Sequence, residues 1–417
     1  LKVSESASAI ERDPALLAAV VVGVGVVCAL HVGKLPVAIP VLQASLGLSL
    51  LQAGLLLSLV QFAGMTLGLV VGLMADQLGP RRVMLAGLVL LALGSALGGL
   101  STSVHGLLAT RVLEGLGFLL AVLPAPGLLR QRVWDPKTLA RALGWWGAYM
   151  PLGTAIALLC GAPLLALIGW RTVWLSLALL TFLAAGALAT QVSGDSGRTG
   201  GVAPRTAPPP LNPWTRVQRT LIAPGPWLVA IAFFLYSGQW LAVVGFLPTI
   251  YAQAGYSGMT VGVLTSLAAG INMAGNIGAG RCLARGVRPG VLLSIAYLAM
   301  ALGAVVAFGA EGHPIWQYLA VLVFSGVGGL IPGTLFSLAV VLAPGEATVS
   351  TTVGWMQQFS ALGQFLGPPL VAWVATQAGG WHWTWVVTAS CSLLGIGLAA
   401  QLQREWKRRA HAVIRVA

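Results

Sequence analysis

The sequence predicts an all-α integral membrane protein: twelve transmembrane helices in two six-helix bundles related by a pseudo-two-fold axis. Three observations point there. Of 417 residues, 57% are hydrophobic and only 8% are charged, against about 25% charged in soluble chains. Too few charged side chains are present to cover a water-facing surface of this size. Apolar runs of about 20 residues, the length that crosses a bilayer core, recur along the whole chain. Lys and Arg gather in alternate connecting segments, as the positive-inside rule requires. This composition excludes a soluble enzyme, a disordered chain, a collagen and a disulfide scaffold. The net charge of +13 suggests nucleic acid in a soluble protein; here topology explains it, and the expected surroundings are lipid.

The elements follow in order. Residues 1–13 are polar, lack the basic start and cleavage site of a signal peptide, and read as a cytoplasmic tail. Six spans fill 14–191, at 14–42, 50–73, 82–101, 104–129, 138–168 and 170–191. Turn signals such as Gly79-Pro80 and Asp135-Pro136 separate them, and the junction at Gly169 carries the weakest signal. Residues 192–225 form a Gly/Pro/Ser-rich stretch with Pro208-Pro209-Pro210, read as a cytoplasmic linker. Six more spans fill 226–402, at 226–253, 259–280, 289–309, 315–342, 347–376 and 381–402, and a basic tail, 403–417, closes the chain. With the N-terminus inside, 20 of the 23 Lys and Arg fall in inner segments or at the inner ends of spans, and only Arg171 at an outer junction. Both termini and the linker are therefore expected in the cytoplasm. Cys28, Cys160, Cys282 and Cys391 are far apart and read as packing residues.

The halves repeat. At an offset of 208, Pro40, Gly47, Ser49, Gly54, Leu56, Ser58, Met65 and Gly72 match Pro248, Gly255, Ser257, Gly262, Leu264, Ser266, Met273 and Gly280. At an offset of 211, Gly115 and Gly117 match Gly326 and Gly328, and Gly169-Trp170 matches Gly380-Trp381. Parallel six-span repeats place a binding site at the midplane between two bundles, the plan of many transporters.

Two motifs are informative. Between spans 2 and 3 stands Gly72-Leu-Met-Ala-Asp76-Gln-Leu-Gly79-Pro-Arg81-Arg82. Gly72 permits a close helix approach and Gly79 a tight turn. Asp76 suits a helix cap or a cation partner across the bundles, and Arg81 and Arg82 suit headgroup level. Span 4 carries Arg111-Val-Leu-Glu114-Gly115-Leu-Gly117. Both resemble signatures of the major facilitator superfamily. The resemblance covers essentially the whole chain, although Gln77 stands where the family often has a basic residue. Gly144-Trp-Trp-Gly147-Ala-Tyr149-Met-Pro151-Leu-Gly153 in span 5 is similar to the cyanate and nitroimidazole permease branch. The resemblance implies a transporter working by alternating access, with the loop 2–3 motif as a conformational latch.

Four ionisable residues fall deep inside spans, away from their ends, where each is costly and marks a functional candidate. His31 and Lys34 share a face of span 1, and Arg111 and Glu114 a face of span 4. In the family, spans 1, 4, 7 and 10 line the central cavity, so the resemblance places all four by the substrate path. They read as a cationic site for a small organic or inorganic anion, with Arg111 offering a fork suited to a carboxylate. The other readings are snorkelling for Lys34, a packing role for His31, and a structural Arg111–Glu114 ion pair. His31 and Glu114 are the candidate proton carriers. The second half offers neutral groups as a hydrogen-bonding wall: Tyr236, Gln239 and Trp240 in span 7, Asn272 and Asn276 in span 8, Trp355 and Gln358 in span 11, with Tyr149 from span 5. Gln239 matches His31 at the offset of 208.

The expected function is secondary transport of a small anion, with proton-coupled import preferred, by a monomer in a bacterial inner (plasma) membrane. The alternative is an exporter of drugs or metabolites on the same fold. No catalytic constellation, metal-ligand cluster or cofactor motif is found, so an enzyme is not expected.

Overall fold

A computed structural model describes residues 13–133, 135–192, 212–310 and 312–414, and these are helical almost throughout, with no strand among them. Ten helical stretches within them are long and apolar enough to cross a membrane. One of these runs through Gly169, whose φ of 74° and ψ of 160° break it into two helices, 136–168 and 170–191. The 29-residue helix Val349–Gln377 has an apolar length diluted by Gln357, Gln358, Gln364 and Gln377. With it, the twelve expected spans are present.

Several spans are not single rods. Span 2 is Leu50–Leu59 followed by Phe62–Leu78, span 4 is Val104–Val122 followed by Ala125–Arg132, and span 10 is Pro314–Gly328 followed by Leu330–Leu342. The break in span 4 falls at Pro124, which has no N–H to donate. The break in span 2 involves no proline; there Val60 N–H turns to Ser58 O. Spans 1 (Pro14–Leu46), 3 (Pro80–Leu100), 7 (Pro224–Gln253), 8 (Gly258–Ala284) and 9 (Pro289–Gly309) are unbroken. Capping residues start many of them: Asp13, Ser49, Ser103, Asp135 and Ser257 each accept backbone N–H groups of the first turn. Two features differ from the sequence expectation. The linker becomes a helix over Pro213–Ile222, and span 12 continues as Thr384–Ile414 through most of the basic tail.

Packing repeats between the halves, and glycines make it possible. Span 1 meets span 5 where a Cβ on Gly153 would lie 2.5 Å from that of Ala29. Span 7 meets span 11 in the same way, with Gly238 against the Gly363 carbonyl at 2.6 Å. Span 3 crosses span 4 at Gly87 and Gly117, and span 9 crosses span 10 at Gly303 and Gly328. Between the halves, span 2 packs on span 11 and span 5 on span 8. These two contacts exchange under the six-span repeat.

Candidate functional site

A cavity of about 300 Å³ lies between the halves and reaches the end of the molecule that carries the 78–80 turn. Spans 2, 4 and 5 wall one side, and spans 10 and 11 the other. Its deep end is formed by Val60, Gln61, Ser360 and Gln364; its mouth by Pro80, Arg130, Gln131, Arg216 and Val349. Trp146 and Tyr149, stacked with ring centroids 4.5 Å apart, line it from span 5. The described lining includes two arginines and no carboxylate. Ala75 lines the mouth, and the side chain of the next residue, Asp76, lies outside the described residues.

Glutamines tie the halves together along this cavity. Gln61 Nε2 donates to Gln364 Oε1 at 2.9 Å. Gln358 Nε2 donates to Met65 O at 2.8 Å, while its Oε1 accepts from Leu69 N at 3.3 Å. One amide of span 11 thus serves two backbone groups four residues apart on span 2.

The embedded charges form a second centre. Glu114 accepts from Lys34 at 2.6 Å and from Arg111 through its other oxygen. Lys34 also donates to Ser95 Oγ at 3.0 Å and to His31 Nδ1 at 3.3 Å, so each of its three N–H groups has an acceptor. It stands 4.5 Å from the centroid of the Trp174 ring, a favourable cation–π distance. His31 Nε2 lies 2.8 Å from Thr181 Oγ1. The Thr181 hydroxyl donates its one hydrogen to Leu177 O, so His31 must donate to it. With Lys34 donating to Nδ1, the ring is the neutral Nε2–H tautomer. Arg111 also reaches His31 O at 2.8 Å and Leu56 O at 3.2 Å, leaving Nη2 buried without a partner.

These bonds turn the four groups into the first half, among spans 1, 2, 3, 4 and 6, rather than toward the cavity. All four side chains are at most 3% exposed, and Lys34 does not snorkel. The family-based expectation that they face the central path therefore differs from the geometry: a charge this deep is stabilised by partners, and among the described residues the partners of these four lie inside their own half.

The neutral set of the second half behaves alike. Asn272 donates to Tyr236 Oη and Ser325 O, both at 2.8 Å, and Trp240 donates to Ser325 Oγ at 3.1 Å. Gln239 Oε1 accepts from Ser392 Oγ at 3.0 Å. Asn276 sits at the crossing of spans 8 and 10, against Gly333. Trp355 packs on Trp227 and Phe359 with centroids 5.0 Å away in each case. Of the expected binding residues, Tyr149 and Gln358 line the cavity; the others named here make their contacts within one half. Gln61, Arg130 and Arg216 line it without having been expected. Of the three, only Gln61 carries a sequence signal, an amide in the middle of an apolar span.

In the loop 2–3 motif, Gly79 adopts a φ of 92°, the turn that its lack of Cβ permits. Arg81 donates to Ala189 O at 2.7 Å, closing the end of span 6. Arg82 is also engaged. Gly72 has only Leu123 Cδ2 near its Cβ position, at 4.0 Å, so no close helix crossing occurs there. The four cysteines are free, with Cys28 buried and Cys160 exposed.

Comparison with known proteins agrees with this architecture. A bacterial homologue of the human lysosomal transporter Spinster, in an inward-facing and unoccupied conformation, superposes with a TM-score of 0.76 at 16% identity, covering 95% of this chain and 98% of that one. Monocarboxylate transporter 13 of Rattus norvegicus is 26% identical over 342 residues, 79% of this chain and 74% of that protein. The methylenomycin A resistance protein of Bacillus subtilis is 27% identical over 130 residues, 30% of this chain and 28% of that protein's length. The family model described as Major Facilitator Superfamily matches residues 16–366. With twelve spans, a repeated packing plan and a cavity between the repeats, this multi-pass membrane transporter belongs to the Major Facilitator Superfamily.

Proposed function

We propose that this transporter moves a small anion by alternating access, through the cavity between a bundle at 14–191 and a bundle at 226–402, in the direction of uptake. The observation that carries the reading is the described cavity lining: Arg130 and Arg216 at the mouth, amide and phenol groups deeper, and no carboxylate. Such a funnel concentrates anions and repels cations. The charge distribution along the sequence supports placing the mouth and both termini in the cytoplasm of a bacterial cell. The match to a protein named a monocarboxylate transporter, over most of both chains, supports an anionic solute.

The charge cluster is the proposed coupling centre. A proton added to His31 Nδ1 occupies the lone pair that Lys34 uses, so Lys34 must leave the ring and rely on Glu114. The bond lost lies within span 1, but the displaced ammonium is the group that ties span 1 to Ser95 of span 3 and Glu114 of span 4, so the proton acts on the contacts that a change of state must rearrange.

The experiment is a ligand-induced shift in melting temperature of purified protein. The panel holds small carboxylates, cyanate, nitrate, sulfonates, neutral sugars and cationic drugs. A ligand at about 100 times its Kd stabilises by roughly 2.7 kcal/mol. Anions alone should shift the melt, and less so in Arg130→Gln and Tyr149→Phe. A shift only with bulky cations would refute the anion reading and favour export. The partial match to the methylenomycin A resistance protein supports that second reading.

A further inference from the structure

The helix Pro213–Ile222 lies between the two sets of spans. Asn212 caps it by accepting from Trp214 N at 3.0 Å, and the Trp227 indole donates to Leu221 O at 2.8 Å, tying its end to the start of span 7. At 100° per residue, Trp214, Leu221 and Ile222 share one side, with the exposed Gln218 between Trp214 and Ile222. They are 66%, 36% and 84% exposed. The opposite side meets the protein: Thr220 is buried and Arg216 lines the cavity mouth, with Val217 lining it from the edge beside Leu221. Arg219 is exposed on the flank of the apolar side.

Three large apolar side chains beside an arginine suit the headgroup–acyl boundary rather than water. Ile222 is two residues from the start of span 7 at Pro224, which puts this side at the depth where the membrane begins. The helix stands at the end of the molecule where Lys and Arg concentrate, the side that faces an anionic leaflet. Nothing in this depends on which solute is carried.

We propose that Pro213–Ile222 is an interfacial helix whose partner is anionic phospholipid. Lipid contact with Trp214, Leu221, Ile222 and Arg219 holds Arg216 and Val217 in place as one wall of the cavity mouth. Binding in the interface combines apolar burial with attraction of the cation to headgroups, so anionic lipid is preferred over neutral lipid.

The test is amide hydrogen exchange of the full chain in nanodiscs of phosphatidylcholine alone, or of phosphatidylcholine with phosphatidylglycerol. Exchange over 213–222 should slow when phosphatidylglycerol is present. The slowing should be lost in Trp214→Ser/Ile222→Ser and reduced in Arg219→Gln, while exchange in the spans stays unchanged. Both serine substitutions fall on exposed residues, and an unchanged melt in detergent checks that the variant is folded. Equal exchange in the two lipids overturns the proposal, as does slowing that survives the double substitution.

Discussion

Arg111 donates from Nε to the carbonyl oxygen of Leu56 at 3.2 Å, an acceptor left open where Val60 N–H turns to Ser58 O. The break in span 2 and the charge of span 4 are therefore one structural unit. Gln61, beside that break, reaches across the cavity to Gln364. A continuous set of bonds thus runs from Glu114 through Arg111 and the broken span to the contact between halves.

Removing one member of the charge cluster should be far worse than removing all. Arg111→Met leaves Glu114 with Lys34 alone and Leu56 O without its side-chain donor. The expected loss is about 3–5 kcal/mol, the usual penalty for breaking a buried ion pair. Lys34→Met/Arg111→Met/Glu114→Gln should lie much nearer the parent. The second half supports this: at the repeat offsets, Ala242, Leu322 and Ser325 stand where Lys34, Arg111 and Glu114 do. Unfolding followed by tryptophan fluorescence checks the ordering, and equal losses in the single and triple variants would sink it.

Glycine positions separate into two classes. A Cβ on Gly117 would lie 2.3 Å from Leu91 N and 2.7 Å from Gly87 O, both backbone atoms that cannot turn aside. Gly117→Val should abolish the folded monodisperse peak in size-exclusion chromatography. Gly147, in the span 5 motif, meets nothing within 4 Å. Gly147→Ala should leave the melt unchanged or raise it slightly, since Gly is about 1 kcal/mol poorer than Ala in a helix. A large loss at Gly147 would mean that it is needed in another conformation.

The Gln61–Gln364 bond should favour the state in which the cavity opens at the 78–80 end. Polar contacts between membrane helices average about 0.6 kcal/mol, which is roughly threefold in population. Gln61→Ala and Gln364→Ala should each lower that state by this factor, and the double variant by no more than either single one. Spin-label distances across both ends measure the populations. Additive effects would mean that the two residues act separately.

The spans were legible because each rests on a local property. Twenty apolar residues, a capping Ser or Asp and a basic connecting loop need no partner to be recognised. The repeat at 208 and 211 was legible for the same reason. Which way a buried polar group turns was not, because it depends on partners distant in sequence. Lys34 could be marked as an embedded charge, but its bond to Glu114, 80 residues away, and to Ser95 could not. The break at Val60–Gln61 carries no proline or glycine at its own positions. It is sustained by Arg111 from another helix. The cavity glutamines are the reverse case: Gln358 was recognisable as polar in an apolar setting, while its role as a tie to span 2 exists only once the halves are assembled.

The repeat offers one substitution that separates folding from coupling at His31. At the two offsets His31 corresponds to Gln239, and Thr181 to Ser392. Both pairs are hydrogen-bonded, at 2.8 Å and 3.0 Å. A glutamine therefore already spans this distance between the equivalent helices of the other half. His31→Gln should keep the bond to Thr181 and offer Lys34 no more than an amide oxygen, holding stability within about 1 kcal/mol, the scale of one net hydrogen bond. Unlike histidine, the amide takes up no proton near neutral pH. If His31 carries the coupling proton, His31→Gln should bind the transported solute as the parent does, yet fail to accumulate it under a pH gradient in proteoliposomes. Proton-driven accumulation that persists in His31→Gln would move the coupling role to Glu114, and Glu114→Gln is then the variant that must lose it.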